Sequence, residues 1–200
     1  MDKFLKGNKN LLYTILALVI FVELIAGYFY IVSPIKKESE VVPPSSPPVK
    51  KAAASLTLLP SSAAYKVGGS FDVTINLDTD KGLTVGTDLI VSYDAKKLEV
   101  VDADLTKPGV QIQAGSLYDT NPVNIEKAGK IYLGAIASPG KKQFAGSGTL
   151  AVIKFKGKTA GQAGVTIDFT PGLTTDSNVT TADSRDILAK VGNATFSVTP

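Results

Sequence analysis

The 200-residue chain has no cysteine, no histidine, no tryptophan and a single methionine. Each absence removes chemistry. Without Cys there are no disulfides, no thiolate nucleophile and no Cys-based zinc site. Without His there is no Ser-His-Asp triad, no imidazole base and no His-held metal. Glutamate is scarce as well: beyond Ala54 only Glu99 and Glu126 remain. Paired-carboxylate glycosidase chemistry needs two such groups at a set separation, and neither Glu has a sequence-linked partner. The expectation is a protein that is not an enzyme and carries no resident cofactor.

A field of one sign is missing too. The net charge of +3 sits entirely in the N-terminal quarter, where seven Lys up to Lys51 face Asp2, Glu23, Glu38 and Glu40. From Ser55 onward thirteen Lys and Arg185 balance twelve Asp and two Glu. No basic patch is left to attract a phosphate backbone, so nucleic acid is excluded as an expected partner.

One long apolar run is present. Leu11 to Val32 reads LLYTILALVIFVELIAGYFYIV with one charge, Glu23. Roughly 22 residues at 1.5 Å rise span about 33 Å, enough to cross a hydrocarbon core of about 30 Å. Tyr28 and Tyr30 lie near its far end, where amphipathic rings favour an interface. A cleaved signal peptide would have a shorter apolar region ending in small residues, so an uncleaved signal anchor is expected. A pilin-type processing site does not fit, because polar Asn8, Lys9 and Asn10 follow Gly7. Lys3, Lys6 and Lys9 before the run place residues 1–10 in the cytoplasm and the C-terminal domain outside. Glu23 reads either as a helix-association or relay site or as one tolerated polar residue.

Ser33 to Ala54, SPIKKESEVVPPSSPPVKKAAA, offers a core nothing to pack. Two Pro-Pro pairs make it an extended spacer that reaches up to roughly 60 Å. From Ser55 the texture changes to short apolar alternations separated by Gly, Asp, Asn and Pro. Ser55–Pro60, Ser70–Asp78, Thr84–Asp94, Leu98–Leu105, Lys130–Ala137, Gly148–Lys158, Gly164–Phe169 and Ala194–Val198 read as strands. A weaker strand lies around Val110–Gln113. With no helical period, eight or nine strands argue an all-β two-sheet sandwich or jelly roll over residues 55–200.

Four fragments in order resemble one family, the cohesin domains of bacterial cellulosomes. They are SLTLLPSSAAYKVGGSFDVTINLDT, DLIVSYDAKKLEVVDADL, FAGSGTLAVIKFKGKTAGQAGVTIDF and the tail NVTTADSRDIL with NATFSV. The resemblance covers Ser55 to Val198. It implies a nine-stranded jelly-roll β-sandwich related to carbohydrate-binding modules, and a calcium-loaded dockerin as partner. It also implies that binding uses one sheet face, including the strand DLIVSYD. Alternation along that strand points Leu89, Val91 and Tyr93 inward and Asp88, Ile90 and Ser92 outward, so these last three are candidate partner-binding residues. One departure stands out: where dockerin-binding cohesins carry polar and acidic contacts, this chain has Gly134, Ala135, Ala137 and Ser138.

The functional expectation is a membrane-anchored extracellular module that captures a dockerin-bearing or other surface protein. The alternative is a carbohydrate-binding or adhesive domain that holds polysaccharide. For that reading Tyr118, in the loop-like SLYDTNP, is the aromatic expected to be exposed, while Tyr93 belongs to the core. Asp176, Asn178 and Asp183, with Asp186, have oxygen chemistry suited to Ca²⁺. They lack the Gly and Glu of an EF-hand loop, and an Asx-rich turn explains the same residues. Asn178 and Asn193 each open an N-glycosylation pattern, read as coincidence.

Overall fold

The computed structural model describes Tyr13, residues 18–23 and residues 53–200. The chain divides into two compact units, Met1–Val49 and Lys50–Pro200. In the first, the described residues are helical and exposed, Glu23 among them. No helix among the described residues is long and apolar enough to cross a membrane. Most of the expected span, residues 11–32, and of the proline-rich spacer lies outside the described residues. The spacer's expected end is corrected by one residue, because Ala54 opens the first strand and is fully buried.

The second unit holds thirteen strands among its described residues. They are β1 (Ala54–Leu59), β2 (Ser62–Lys66), β3 (Ser70–Asp78), β4 (Thr84–Tyr93), β5 (Leu98–Val100), β6 (Gln113–Ala114) and β7 (Thr120–Lys127). There follow β8 (Lys130–Ile136), β9 (Ser147–Gly157), β10 (Gly161–Ile167), β11 (Asn178–Thr181), β12 (Leu188–Gly192) and β13 (Ala194–Thr199). One sheet runs β12–β1–β3–β9–β5, with β6 also on β9; the other runs β2–β13–β10–β4–β8–β7, with β11 also on β4. The all-β sandwich is therefore as expected, with more and shorter strands than nine.

The core follows from period-two alternation. β3 buries Phe71, Val73, Ile75 and Leu77 and turns Asp72, Thr74 and Asn76 outward. A bulge opposite Ile75 and Asn76 leaves Leu150 out of the β3–β9 register. The extra residue shifts the alternation, so Leu150 and Ala151 are both buried. Leu89 and Val91 of β4, Ile131 and Leu133 of β8, and Phe196 and Val198 of β13 complete the opposing layer. At one end Tyr65 stacks on Phe71 with ring centroids 3.7 Å apart, and Phe196 lies 5.1 Å from Phe71.

Two strand expectations are corrected. The segment Leu98–Leu105 pairs only as far as Val100, because Asp102 Oδ1 accepts the amides of Asp104 and Gln111, both at 3.0 Å. Such local side-chain bonds compete with a ladder. Four strands, β2, β7, β11 and β12, were not expected. β2 and β12 are five residues each without a run of large apolar side chains, and each adds in parallel at a sheet edge, to β13 and β1 respectively.

Candidate functional site

The second sheet presents its outer face on β4, β8 and β7. Register places residues in rows across these three strands: Gly86 beside Ile136, then Asp88–Gly134–Val123, then Ile90–Tyr132–Ile125. The last row is Ser92–Lys130–Lys127, continued on the other flank by Thr166. Residues opposite one another share a face, so this is one continuous surface. It is apolar. Val123 is 46%, Ile136 42% and Ile125 39% exposed, with Ile90 and Tyr132 half-buried beside them.

What holds β4 flat at the centre is a shared flank. Its Val91–Tyr93 stretch pairs with β10 and its Thr84–Asp88 stretch with β11. Ile90 falls in the gap. Ser177 fills it, its Oγ accepting the Ile90 amide at 2.9 Å and donating to the Ile90 carbonyl at 3.2 Å. The Asp168 amide adds a bond of 2.8 Å to the same carbonyl. An unpaired backbone pair in mid-sheet would otherwise be costly.

The polar groups of the face differ in how far they are engaged. Asp168 accepts from Ser92 Oγ at 2.8 Å and from Lys130 Nζ at 2.6 Å. That carboxylate raises the Lys130 pKa, first through the hydrogen bond and then through charge. Ser92 is thus tied into a local network. Asp88 is exposed and, among the described residues, its carboxylate makes no hydrogen bond or ion pair. It stands between Gly134 and the apolar residues of the next row. A Cβ on Gly134 would lie 3.6 Å from Asp88 Oδ1 and 3.6 Å from Val123 Cβ, so the glycine leaves a notch one methyl deep.

Asp88, Ile90 and Ser92 thus share the outer face and lie in successive rows, as the alternation predicts. Tyr118 does not join them, and its expected exposure is corrected: it is only 5% exposed. Its hydroxyl lies 2.7 Å from Thr84 Oγ1 and accepts from Thr87 Oγ1 at 3.3 Å, and its ring meets Phe144 edge-on. A loop that returns to the core drives its aromatic inward once the hydroxyl has partners. Val123, Ile125, Tyr132 and Ile136 were missed as site residues. The signal was the alternation of Val123 and Ile125, masked by Pro122, which argues against a strand interior.

The calcium candidates are not brought together. Asp176 Oδ2 accepts the Thr170 amide at 2.5 Å, Asn178 bonds the Asp176 carbonyl and Thr180, and Asp183 pairs with Arg185 at 2.6 Å. Asp186 accepts the amides of Val179 and Leu188. Among the described residues no group of three acidic side chains is arranged to hold a metal. Asx turns engage most of these oxygens, while Asp176 Oδ1 is buried without a hydrogen-bond partner.

A family model for the cohesin domain matches residues 57–195, most of the chain. The chain belongs to the cohesin family. Among solved structures, the cohesin CaCohA2 from Clostridium acetobutylicum is 21% identical with a TM-score of 0.59, covering 76% of this chain and 94% of that one. A type II cohesin from the cellulosome of Acetivibrio cellulolyticus is 16% identical at TM-score 0.56, covering 73% and 95%. The OlpA cohesin, solved in a type I cohesin–dockerin complex from Clostridium thermocellum, is 15% identical at TM-score 0.54, covering 74% and 99%. These likenesses establish the cohesin fold over the β unit. No curated protein matches the chain.

Proposed function

We propose that this cohesin is a membrane-anchored, extracellular module that holds a dockerin-bearing protein on the outer face of β7, β8 and β4. The observation that carries the reading is the exposed apolar strip of Val123, Ile125 and Ile136 around the unpaired Asp88. An apolar patch rimmed by polar groups is what a protein partner covers. Family membership supplies the partner class: relatives of the same fold are solved as complexes with dockerins from Clostridium thermocellum. A cohesin works by binding, not by catalysis. The polysaccharide reading has lost its aromatic, since Tyr118 is in the core.

Anchoring rests on the length and apolarity of residues 11–32, and extracellular placement on Lys3, Lys6 and Lys9 before them. Residues 33–53 then serve as the spacer that sets the cohesin off from the bilayer.

The test is calorimetric titration of the full chain in lipid nanodiscs with calcium-loaded dockerins from the relatives above. Binding to at least one, lost on chelation while the cohesin's own melting temperature stays unchanged, is the expected result. Ile125→Glu should weaken that binding at least tenfold by placing a charge in the strip. Failure of every dockerin in the panel to bind would reject the dockerin assignment.

A further inference from the structure

A cleft of about 480 Å³ lies between the loop that joins β6 to β7 and the loop that joins β8 to β9. That volume falls in the range of small-molecule sites. None of its lining residues belongs to the apolar strip described above. Leu117 and Phe144, both half-buried, and the buried Tyr118 give it an apolar floor.

The floor is fixed in place. Thr84 Oγ1 bonds the Tyr118 hydroxyl at 2.7 Å and donates to the Phe144 carbonyl at 2.9 Å, and Phe144 exchanges two backbone bonds with Thr84. Leu117 lies against Gly148, where a Cβ would stand 2.7 Å from Leu117 Cδ2. Gly115 is pressed onto β9, its amide donating to the Leu150 carbonyl at 2.8 Å, and a Cβ there would clash with the Thr149 carbonyl oxygen. The loop before β7 thus keeps its place because two positions carry no side chain. A cleft already formed has little ordering left to lose when a ligand enters.

Charge around the cleft is uneven. Lys141 and Lys142 both line it and are exposed, and neither ammonium makes a hydrogen bond or ion pair among the described residues. One acid, Asp119, shares the rim. Its Oδ1 accepts the Ser138 amide at 2.8 Å, and that bond first, with the charge of Lys141 a smaller cause, holds its pKa below the usual carboxylate value. Two cations therefore face one acid that is already engaged. A cationic ligand would meet both ammonium groups, and a sugar would lay hydroxyls on Leu117 and Phe144, where they lose water without gaining a partner. An apolar body with one anionic head meets neither penalty. Phe144 already packs edge-on against Tyr118, with centroids 6.2 Å apart, and a third ring extends such a set better than an alkyl chain does.

We propose that this cleft binds a small aryl carboxylate, its ring on Leu117 and Phe144 and its carboxylate between the ammonium groups of Lys141 and Lys142. The site owes nothing to the dockerin reading, and failure of either leaves the other standing.

The probe is 3-(4-fluorophenyl)propionate, followed by fluorine relaxation against the full chain in nanodiscs, with empty nanodiscs subtracted. The matching amide and amine, 3-(4-fluorophenyl)propionamide and 3-(4-fluorophenyl)propylamine, keep the ring and change only the head. The carboxylate is expected to bind about fivefold tighter than the amide, the measure of one favourable exposed ion pair, and the amine weakest. Lys141→Gln combined with Lys142→Gln should bring the carboxylate to the level of the amide and leave the amide unchanged. Ser116→Trp places a large ring in the cleft from an exposed wall position and should abolish binding of both; Ala145→Trp does the same from the other loop. Unchanged melting temperatures identify the variants that are folded. Equal affinities for carboxylate and amide, a carboxylate preference that survives the double lysine change, binding that survives both tryptophan variants, or no binding of any probe up to about 10 mM (roughly tenfold beyond millimolar affinity) would each overturn the proposal.

Discussion

Tyr93 and Tyr118 are both half-polar side chains whose hydroxyls are hydrogen-bonded inside the protein, Tyr93 part-buried and Tyr118 buried. For Tyr93, burial comes first and the bond to Glu126 second in raising the pKa above its usual value. The folded protein therefore keeps this proton past pH about 10, where the unfolded chain releases it. Above that pH the unfolded state binds fewer protons, so stability falls as pH rises. Denaturant titrations between pH 8 and 11 should show that decline, and it should be shallower in Tyr93→Phe. Tyr118 anchors the loop before β7 through Thr84 and Thr87. Tyr118→Phe should lower unfolding free energy by about 1 kcal/mol, with partner affinity unchanged. Gly134 behaves differently, because its notch is open to the outside. Gly134→Val has ordinary room for its first carbon, so the fold should persist by circular dichroism while dockerin affinity drops at least tenfold, by roughly the measure of a filled hot-spot pocket.

At the level of elements, the seam on β4 depends on Ser177 as acceptor for the Ile90 amide. Ser177→Ala removes both side-chain bonds to Ile90 and leaves its amide without an acceptor in a buried setting. A loss of about 1–3 kcal/mol is expected in denaturant melts, with faster hydrogen exchange at Ile90. Elements also show what could be read in advance. β3, β4, β9 and β13 were legible because each alternates over five or more residues with Val, Ile, Leu or Phe on one side. The same period placed Asp88, Ile90 and Ser92 on one face. β2 and β12 were not legible, since SAAYK and LAKVG owe their pairing to β13 and β1 rather than to their own composition. Missing β7 had the larger consequence. With Pro122 at its start the segment reads as a loop, and two of the three most exposed apolar residues of the site, Val123 and Ile125, went unseen with it. Tyr118 failed for the opposite reason: a polar neighbourhood in sequence says nothing about the Thr pair that awaits the hydroxyl across thirty residues.

For the whole molecule, the proposed arrangement joins an apolar N-terminal segment to a β sandwich that has no net charge from Ser55 onward. Full-length chain expressed in bacteria should sediment with membranes and resist extraction by alkaline carbonate. A chain beginning after residue 32 should remain in the supernatant; sedimentation of both, or of neither, would contradict the anchor.

The entry strand has a consequence for load. β1 is held on one side by β3 in antiparallel register and on the other by β12 in parallel register. A pull directed along the axis of β1 would load both ladders in shear, so their hydrogen bonds would have to yield together. A pull perpendicular to a strand would instead open them one at a time, like a zipper. The same two ladders that close the sheet then act as a mechanical clamp.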